Sequence, residues 1–330
     1  MNRPEFHYFS SQVKNLFENR KGFEKLALEI FRFQALHNPT YKEYINHIRV
    51  DIESVISIHQ IPFLPITFFK SREIKTFDWK EESFFLSSGT TGQIRSRHSI
   101  LNLDFYHENA IRIFENQIGN LSQFQIIGLL PTYLENPNSS LISMVLAFGK
   151  RTESKVAFCG LDFEFFQILL KKARAKRKRI LLFSVTYALL KLIEEKPANL
   201  SDCLVIETGG MKGLGTNVSK PEIIDLIYKH LHINNLYSEY GMTELSSQAY
   251  AKPNIFQNSP LMQILVRDLD DPFSVSKSGR GCANIIDLAN FSTCSFIATD
   301  DLCHIEPQGA FEILGRLEGS DLRGCNLLFA

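Results

Sequence analysis

The chain has 330 residues, with 36 cationic and 36 acidic side chains and 44% hydrophobic positions. A formal net charge of zero argues against nucleic acid or an anionic membrane as an obligatory partner, and no apolar run approaches the ~20 residues of a spanning helix. The six cysteines, Cys159, Cys203, Cys282, Cys294, Cys303 and Cys325, form no Cys-x-x-Cys pair, and the polar start Asn2-Arg3-Pro4-Glu5 lacks a signal-peptide pattern. A reduced, cytoplasmic globular protein is the expectation.

Apolar residues recur at helical spacing over 10–50 (Val13, Leu16, Phe17, Phe23, Leu26, Ala27, Ile30, Phe31), which predicts two or three helices. Two prolines inside Ile61-Pro62-Phe63-Leu64-Pro65 predict an edge strand or an extended crossover. Ser83-Phe84-Phe85-Leu86 reads as a buried strand end. Further strands are expected at 125–130, 154–158, 180–185, 203–207, 233–237, 262–267 and 293–298. Amphipathic helices are expected near 102–117, 138–149, 162–174, 186–195 and 220–231. Such alternation predicts an α/β layered fold with a largely parallel sheet. Beyond about residue 255 short strands replace helices, which suggests a β-rich subdomain. The expected division is 1–80 (helical segment), 81–255 (α/β core) and 256–330 (β-rich subdomain and tail). The basic run Lys171-Lys172-Ala173-Arg174-Ala175-Lys176-Arg177-Lys178-Arg179 reads first as a solvated helix end complementing the dipole. Its functional alternative is a docking patch for an acidic partner such as an acyl carrier protein.

Four stretches carry chemistry. Ser87-Ser88-Gly89-Thr90-Thr91-Gly92 follows a strand with hydroxyls and glycines whose free N–H groups can wrap an anion, and Arg95 adds a fixed positive charge. The glycine spacing, with no Gly-Lys-Ser/Thr after it, excludes a Walker loop. Gly209-Gly210 after a strand lets a flat ring lie on the backbone. In Tyr237-Ser238-Glu239-Tyr240-Gly241-Met242-Thr243-Glu244, Tyr240 is placed to stack on a base, Thr243 to reach a phosphate and Glu244 to hold Mg²⁺, a hard cation that prefers carboxylate plus phosphate oxygens. Asp301, after Thr299-Asp300, suits the two hydroxyls of a ribose, and Arg316 suits a phosphate.

The order of these stations resembles the adenylate-forming superfamily of acyl-CoA synthetases, adenylation domains and luciferases, over roughly residues 83–330. Leu130-Pro131-Thr132-Tyr133-Leu134-Glu135, Glu207-Thr208-Gly209-Gly210-Met211-Lys212-Gly213 and Ser238-Glu239-Tyr240-Gly241-Met242-Thr243-Glu244 are most similar to the LuxE-like acyl-protein synthetases, also called luciferin-component ligases. The resemblance implies the large N-terminal domain of that fold. It also implies an enzyme that converts a carboxylic acid, such as a fatty acid, with ATP and Mg²⁺ into an acyl-adenylate and pyrophosphate, and then passes the acyl group to a protein thiol. By the same resemblance Ser88, Gly89, Thr90, Thr91 and Gly92 hold the β- and γ-phosphates, and Gly209, Gly210 and Met211 frame the adenine against Tyr240. Thr243 takes the α-phosphate, Glu244 the magnesium, and Asp301 with Arg316 the ribose end.

Departures from the pattern modify this expectation. Ile94-Arg95 stands where the phosphate loop usually continues Pro-Lys, and Asp300 replaces the glycine that commonly precedes the ribose aspartate. Ala330 ends the chain shortly after Arg316, so the lid domain with its lysine is expected to be missing. In the acyl-protein synthetases the acyl group passes to a cysteine near the C-terminus and onward to a reductase. Cys325, beside Arg323, is that candidate, since a thiolate is the competent nucleophile. His98 is the candidate for the substrate carboxylate, with a structural role as its alternative. Two further readings stay open: an acyl- or aryl-CoA ligase with its lid supplied in trans, and a nucleotide-binding relative without turnover.

Overall fold

The computed structural model describes residues 4–88, 94–131, 136–209, 220–252 and 254–317. Its first helices, α1 (Pro4–Asn15), α2 (Phe23–His37) and α3 (Pro39–His47), follow the apolar spacing of 10–50. Asn38 separates α2 from α3 in an extended conformation, its side chain accepts from the Tyr41 N–H, and Pro39 starts α3 where its missing N–H costs nothing. The proline-interrupted run then gives β1 (Leu64–Pro65), a parallel edge strand, followed by the single turn α4 (Phe68–Ser71).

One correction comes next. β2 (Ser83–Leu86) does not enter the central sheet; it pairs antiparallel with β3 (Arg97–Ile100) in a separate hairpin. Only Phe85 of the four is buried, because the ribbon keeps one face towards water.

The central sheet is built from alternation. The helices and strands in chain order are α5 (Leu103–Gln117), β4 (Phe124–Leu129), α6 (Ser140–Arg151), β5 (Ala157–Cys159), α7 (Phe163–Arg174), β6 (Arg179–Val185), α8 (Thr186–Glu195), β7 (Cys203–Thr208), α9 (Lys220–Leu231), β8 (Asn235–Tyr240) and β9 (Ala249–Ala251). Strand order is β5-β4-β6-β7-β8-β9, parallel except for β9. β4 and β7 are buried at every position, as strands covered by helices on both faces must be. Alternate residues feed two cores. Ile126, Leu181 and Ile206 pack with α5 and α6, whereas Ile127, Leu182 and Val205 pack with α7, α8 and α9.

A second sheet holds β10 (Met262–Arg267), β11 (Val275–Ser276), β12 (Gly279–Asp287), β13 (Phe296–Ile305) and β14 (Phe311–Arg316), with β1 alongside β13. Apart from β1 it is antiparallel. It buries Ile285, Phe296 and Ile297 against Ile30, Phe31 and Tyr41 of the N-terminal helices. The expected strand at 293–298 starts three residues late and runs to 305, because residues 287–293 first form a turn tied by the Asp287 carboxylate. The basic run closes α7 and opens β6. It therefore sits at the amino ends of the parallel strands, where Arg174 pairs with Asp202 (2.7 Å) and Lys178 donates to the Thr152 carbonyl (2.7 Å).

Candidate active site

A cavity of about 760 Å³ opens at the carboxyl ends of the parallel strands, the place where α/β sheets present loops to ligands. Leu130 and Pro131 follow β4, Val185 ends β6 and Thr186 follows it, Gly209 follows β7, and residues 241–248 follow β8. Ser87 and Ser88 reach it from the hairpin, and Asp301, Gly315 and Arg316 from the second sheet.

Of the residues expected from sequence, Ser88, Gly209, Tyr240, Thr243, Glu244, Asp301 and Arg316 all line this one cavity. Gly89, Thr90, Thr91, Gly92, Gly210, Met211 and Cys325 lie outside the described residues. Arg95 is exposed and does not line the cavity.

Each lining residue has a local reason for its position. Gly209, directly after β7, has φ 107°, a left-handed value that disfavours a side chain. Asp301 and Arg316 are directly opposed on β13 and β14, so Arg316 Nε donates to Asp301 Oδ1 at 2.7 Å. Asp301 Oδ2 accepts from the Tyr240 hydroxyl at 3.0 Å. Burial and the facing Asp301 carboxylate hold the Tyr240 hydroxyl well above its ordinary pKa, so it remains a donor. Its ring packs edge-on against Phe256 and Phe311 and is only 8% exposed.

Glu244 is 2% exposed and borders the cavity. Among the described residues no group of three or more His, Cys, Asp or Glu could hold a metal ion. A Mg²⁺ at Glu244 would therefore complete its shell with phosphate oxygens and water, the manner in which that ion is ordinarily held. The backbone of this loop is fixed from below. Asn290 Nδ2 donates to the Glu244 carbonyl (2.8 Å), while Asp287 accepts from the N–H groups of Ser246 and Ser247 (2.8 and 2.9 Å) and from the Ser247 hydroxyl (2.6 Å).

His98 takes the structural alternative. It is 1% exposed and absent from the cavity lining. Nδ1 lies 2.8 Å from the Thr243 carbonyl, which only accepts, so Nδ1 carries the proton and Nε2 (3.1 Å) receives the Thr293 hydroxyl. Burial pushes its pKa down to about 4. A neutral imidazole in this place props up Thr243 from outside the cavity lining.

Sequence reasoning passed over two carboxylates inside its own quoted motifs. Glu207 accepts from the hydroxyls of Thr186 (2.6 Å) and Ser238 (2.7 Å), tying together the ends of β6, β7 and β8. Glu239 accepts from Thr208, its neighbour in register on β7. Burial, with Glu207 adding repulsion, raises Glu239 to about 7 against the pull of Thr208. Both line the cavity. The signal was a carboxylate near the end of each of two adjacent strands, Glu207 after the apolar run of β7 and Glu239 between Ser238 and Tyr240 on β8.

Solved structures of similar shape show the fold. A long-chain-fatty-acid-CoA ligase from Archaeoglobus fulgidus aligns with a TM-score of 0.52 at 15% identity, covering 70% of this chain and 50% of that one. The luciferase-like enzyme of the nonluminescent mealworm Zophobas morio gives 0.52 at 15%, over 73% and 59%. The ATP-bound RpMatB-BxBclM chimera B3 gives 0.53 at 16%, over 73% and 50%. The fold is that of the adenylate-forming enzymes, and the chain spans about half the length of these structures. A long-chain-fatty-acid–luciferin-component ligase from Photorhabdus luminescens is 37% identical over 76 residues, which are 23% of this chain and 65% of that protein. The model of the family "Acyl-protein synthetase, LuxE" matches residues 9–330, and the chain belongs to that family of ligases.

Proposed function

We propose that this protein activates a fatty acid with ATP, forming an acyl-adenylate and releasing pyrophosphate, and then passes the acyl group to a protein thiol. The observation that carries the reading is the convergence of Ser88, Gly209, Tyr240, Thr243, Glu244, Asp301 and Arg316 on one cavity at the carboxyl ends of the parallel strands. In this reading the acid's carboxylate attacks the α-phosphorus, the bond to the β-bridging oxygen breaks, and the electron pair leaves with pyrophosphate. The thiol then loses its proton to solvent, sulfur bonds to the acyl carbon, and AMP leaves.

Ser88 and the residues Gly89, Thr90, Thr91 and Gly92 bind the β- and γ-phosphates. Thr243 binds the α-phosphate, and Asp301, fixed by Tyr240 and Arg316, accepts from the ribose hydroxyls. Gly209, Gly210 and Met211 flank the base. Glu244 holds a magnesium ion, which supplies charge neutralisation on the phosphates when bound. Alignment and preorganised charge are the protein's contribution to such chemistry. Apolar walls from Leu86, Tyr106, Leu141, Ile142 and Met144 accommodate the acyl chain.

The thiol is not among the five described cysteines. All five are buried, and burial pushes Cys159, Cys203, Cys294 and Cys303 up to about 12 and raises Cys282. A thiol so rarely ionised is a poor nucleophile. The acceptor in this reading is Cys325 or a thiol on an acyl carrier or reductase partner.

Exchange of labelled pyrophosphate into ATP, dependent on a fatty acid, tests the first half-reaction. Labelled acyl groups trapped on the protein and lost in Cys325→Ser test the second. No exchange with any carboxylic acid of any chain length rejects the reading.

A further inference from the structure

The alternation of the central sheet divides its cavity-facing ends into two sides. Glu207 shares a face with Val205, which packs with α7, α8 and α9, and Ser238 shares the corresponding face of β8 with Leu236. Thr208 and Glu239 fall on the opposite face, continuing the line of Ile206 and Tyr237 towards α5 and α6. Met144 packs on that second face, and both it and Tyr106 of α5 line the cavity.

The two carboxylates differ in how they are satisfied. Glu207 takes one hydroxyl on each oxygen and is 3% exposed. Glu239 takes one hydroxyl on Oε2 alone, from Thr208. Its Oε1 rests against Gly241, 2.3 Å from where a Cβ would stand, and accepts no hydrogen bond from a described residue. Oε1 is not sealed in the core, since it is not one of the buried side-chain atoms left without a partner. A carboxyl oxygen therefore stands open to a cavity whose lining includes the apolar side chains of Tyr106, Leu141 and Met144. An apolar chain packed over it would strand it without a partner, which costs more than the bond it forgoes.

We infer that the acid taken by this chamber carries a hydroxyl group on its chain and donates it to Glu239 Oε1: a hydroxylated fatty acid in preference to an unsubstituted one. An ammonium group would bring three donors to the one open oxygen, whereas a hydroxyl brings a single proton to match it. Met242 and Gly241 carry the chain directly from Glu239 to Thr243 and Glu244, so the polar point lies near the reacting end of the chamber, not at its far tip. The inference rests on the adenylation reading above and names the substrate class for it. Such discrimination is in the range that sites built around a substrate hydroxyl achieve.

The test is kcat/KM in pyrophosphate exchange for matched acids of one chain length, unsubstituted, hydroxylated at successive positions near the carboxyl group, and amino-substituted. One hydroxylated isomer should exceed the unsubstituted acid by tenfold or more. Glu239→Gln, which keeps an acceptor, should retain the preference, and Glu239→Leu should abolish or invert it. An unsubstituted or amino acid used as well as every hydroxylated isomer overturns the inference, and so does a preference that survives in Glu239→Leu. The shift in melting temperature of the wild-type protein with the same acids, without ATP, gives a second readout. It decides between hydroxylated and plain chains should Glu239→Leu fail to fold or should no acid support exchange. In the latter case the adenylation reading falls, while selective stabilisation by a hydroxylated acid would still place the contact and equal stabilisation would remove it.

Discussion

Acid should weaken this protein through one side chain in particular. His98 is neutral and buried, with a pKa near 4 in the folded chain against an ordinary 6.5. Between those values the unfolded chain binds a proton that the folded chain refuses, so stability is fully present above pH 6.5 and is lost as pH falls towards 4. At pH 4.5 the loss amounts to roughly 2.5 kcal/mol, taking about 1.4 kcal/mol per pKa unit. Asp287 and Glu239 run the other way: burial raises them to about 6 and about 7, so their contributions favour folding as pH falls. A comparison with His98→Gln cancels both. Urea unfolding of the two proteins at pH 7.0, 6.0, 5.0 and 4.5 is the assay. At neutral pH the wild type should be the more stable, since the variant disturbs the Thr243 carbonyl and Thr293 hydroxyl contacts. That lead should shrink by about 2–3 kcal/mol across the series. Parallel pH dependence in the two proteins would refute a neutral, desolvated His98.

Asp301→Asn removes the charge that Arg316 and Tyr240 orient, and the apparent KM for ATP in the exchange assay should rise at least tenfold, about 1.4 kcal/mol; an unchanged KM would remove Asp301 from nucleotide binding. Glu244→Gln should lower kcat in exchange by about a hundredfold, the scale of losing one electrostatic contact to the transition state, and should raise the magnesium concentration needed for half activity. Gly149→Ala puts a Cβ 2.3 Å from Val156 Cγ2 at the end of α6, so thermal or urea unfolding should show a net loss of about 1–2 kcal/mol after the gain in helix propensity; kcat should not change. Reversing Lys171, Lys172, Lys176 and Arg177 together should leave exchange within twofold, because the basic run stands at the amino ends of the strands whose carboxyl ends hold the cavity. A fall beyond tenfold would show that the two poles are coupled.

Much of this was written in the linear pattern. Apolar spacing placed α5 to α9 and the parallel strands within a few residues, because each element buries one or both faces in a period that its side chains repeat. The station order Ser88, Gly209, Tyr240, Thr243, Glu244, Asp301, Arg316 was legible for a similar reason. Each station lies in or beside a strand, and Gly209, Tyr240, Thr243 and Glu244 come at the carboxyl ends of parallel strands, which share one pole.

Pairing was not legible. Ser83–Leu86 has the composition of a core strand, yet it becomes a half-exposed hairpin, since neighbours far along the chain choose a strand's partners. His98 and Glu239 show the same limit at the site. Both stand in stretches that chemistry alone marks as catalytic candidates, or passes over. Only the packing of Thr243 and Thr293 around the one, and of Thr208 and Gly241 around the other, makes the histidine a neutral prop and leaves the carboxyl with an open oxygen. Local sequence determines which faces must be buried; what they are buried against, and so how each polar group is solvated, is decided by contacts across long sequence separations.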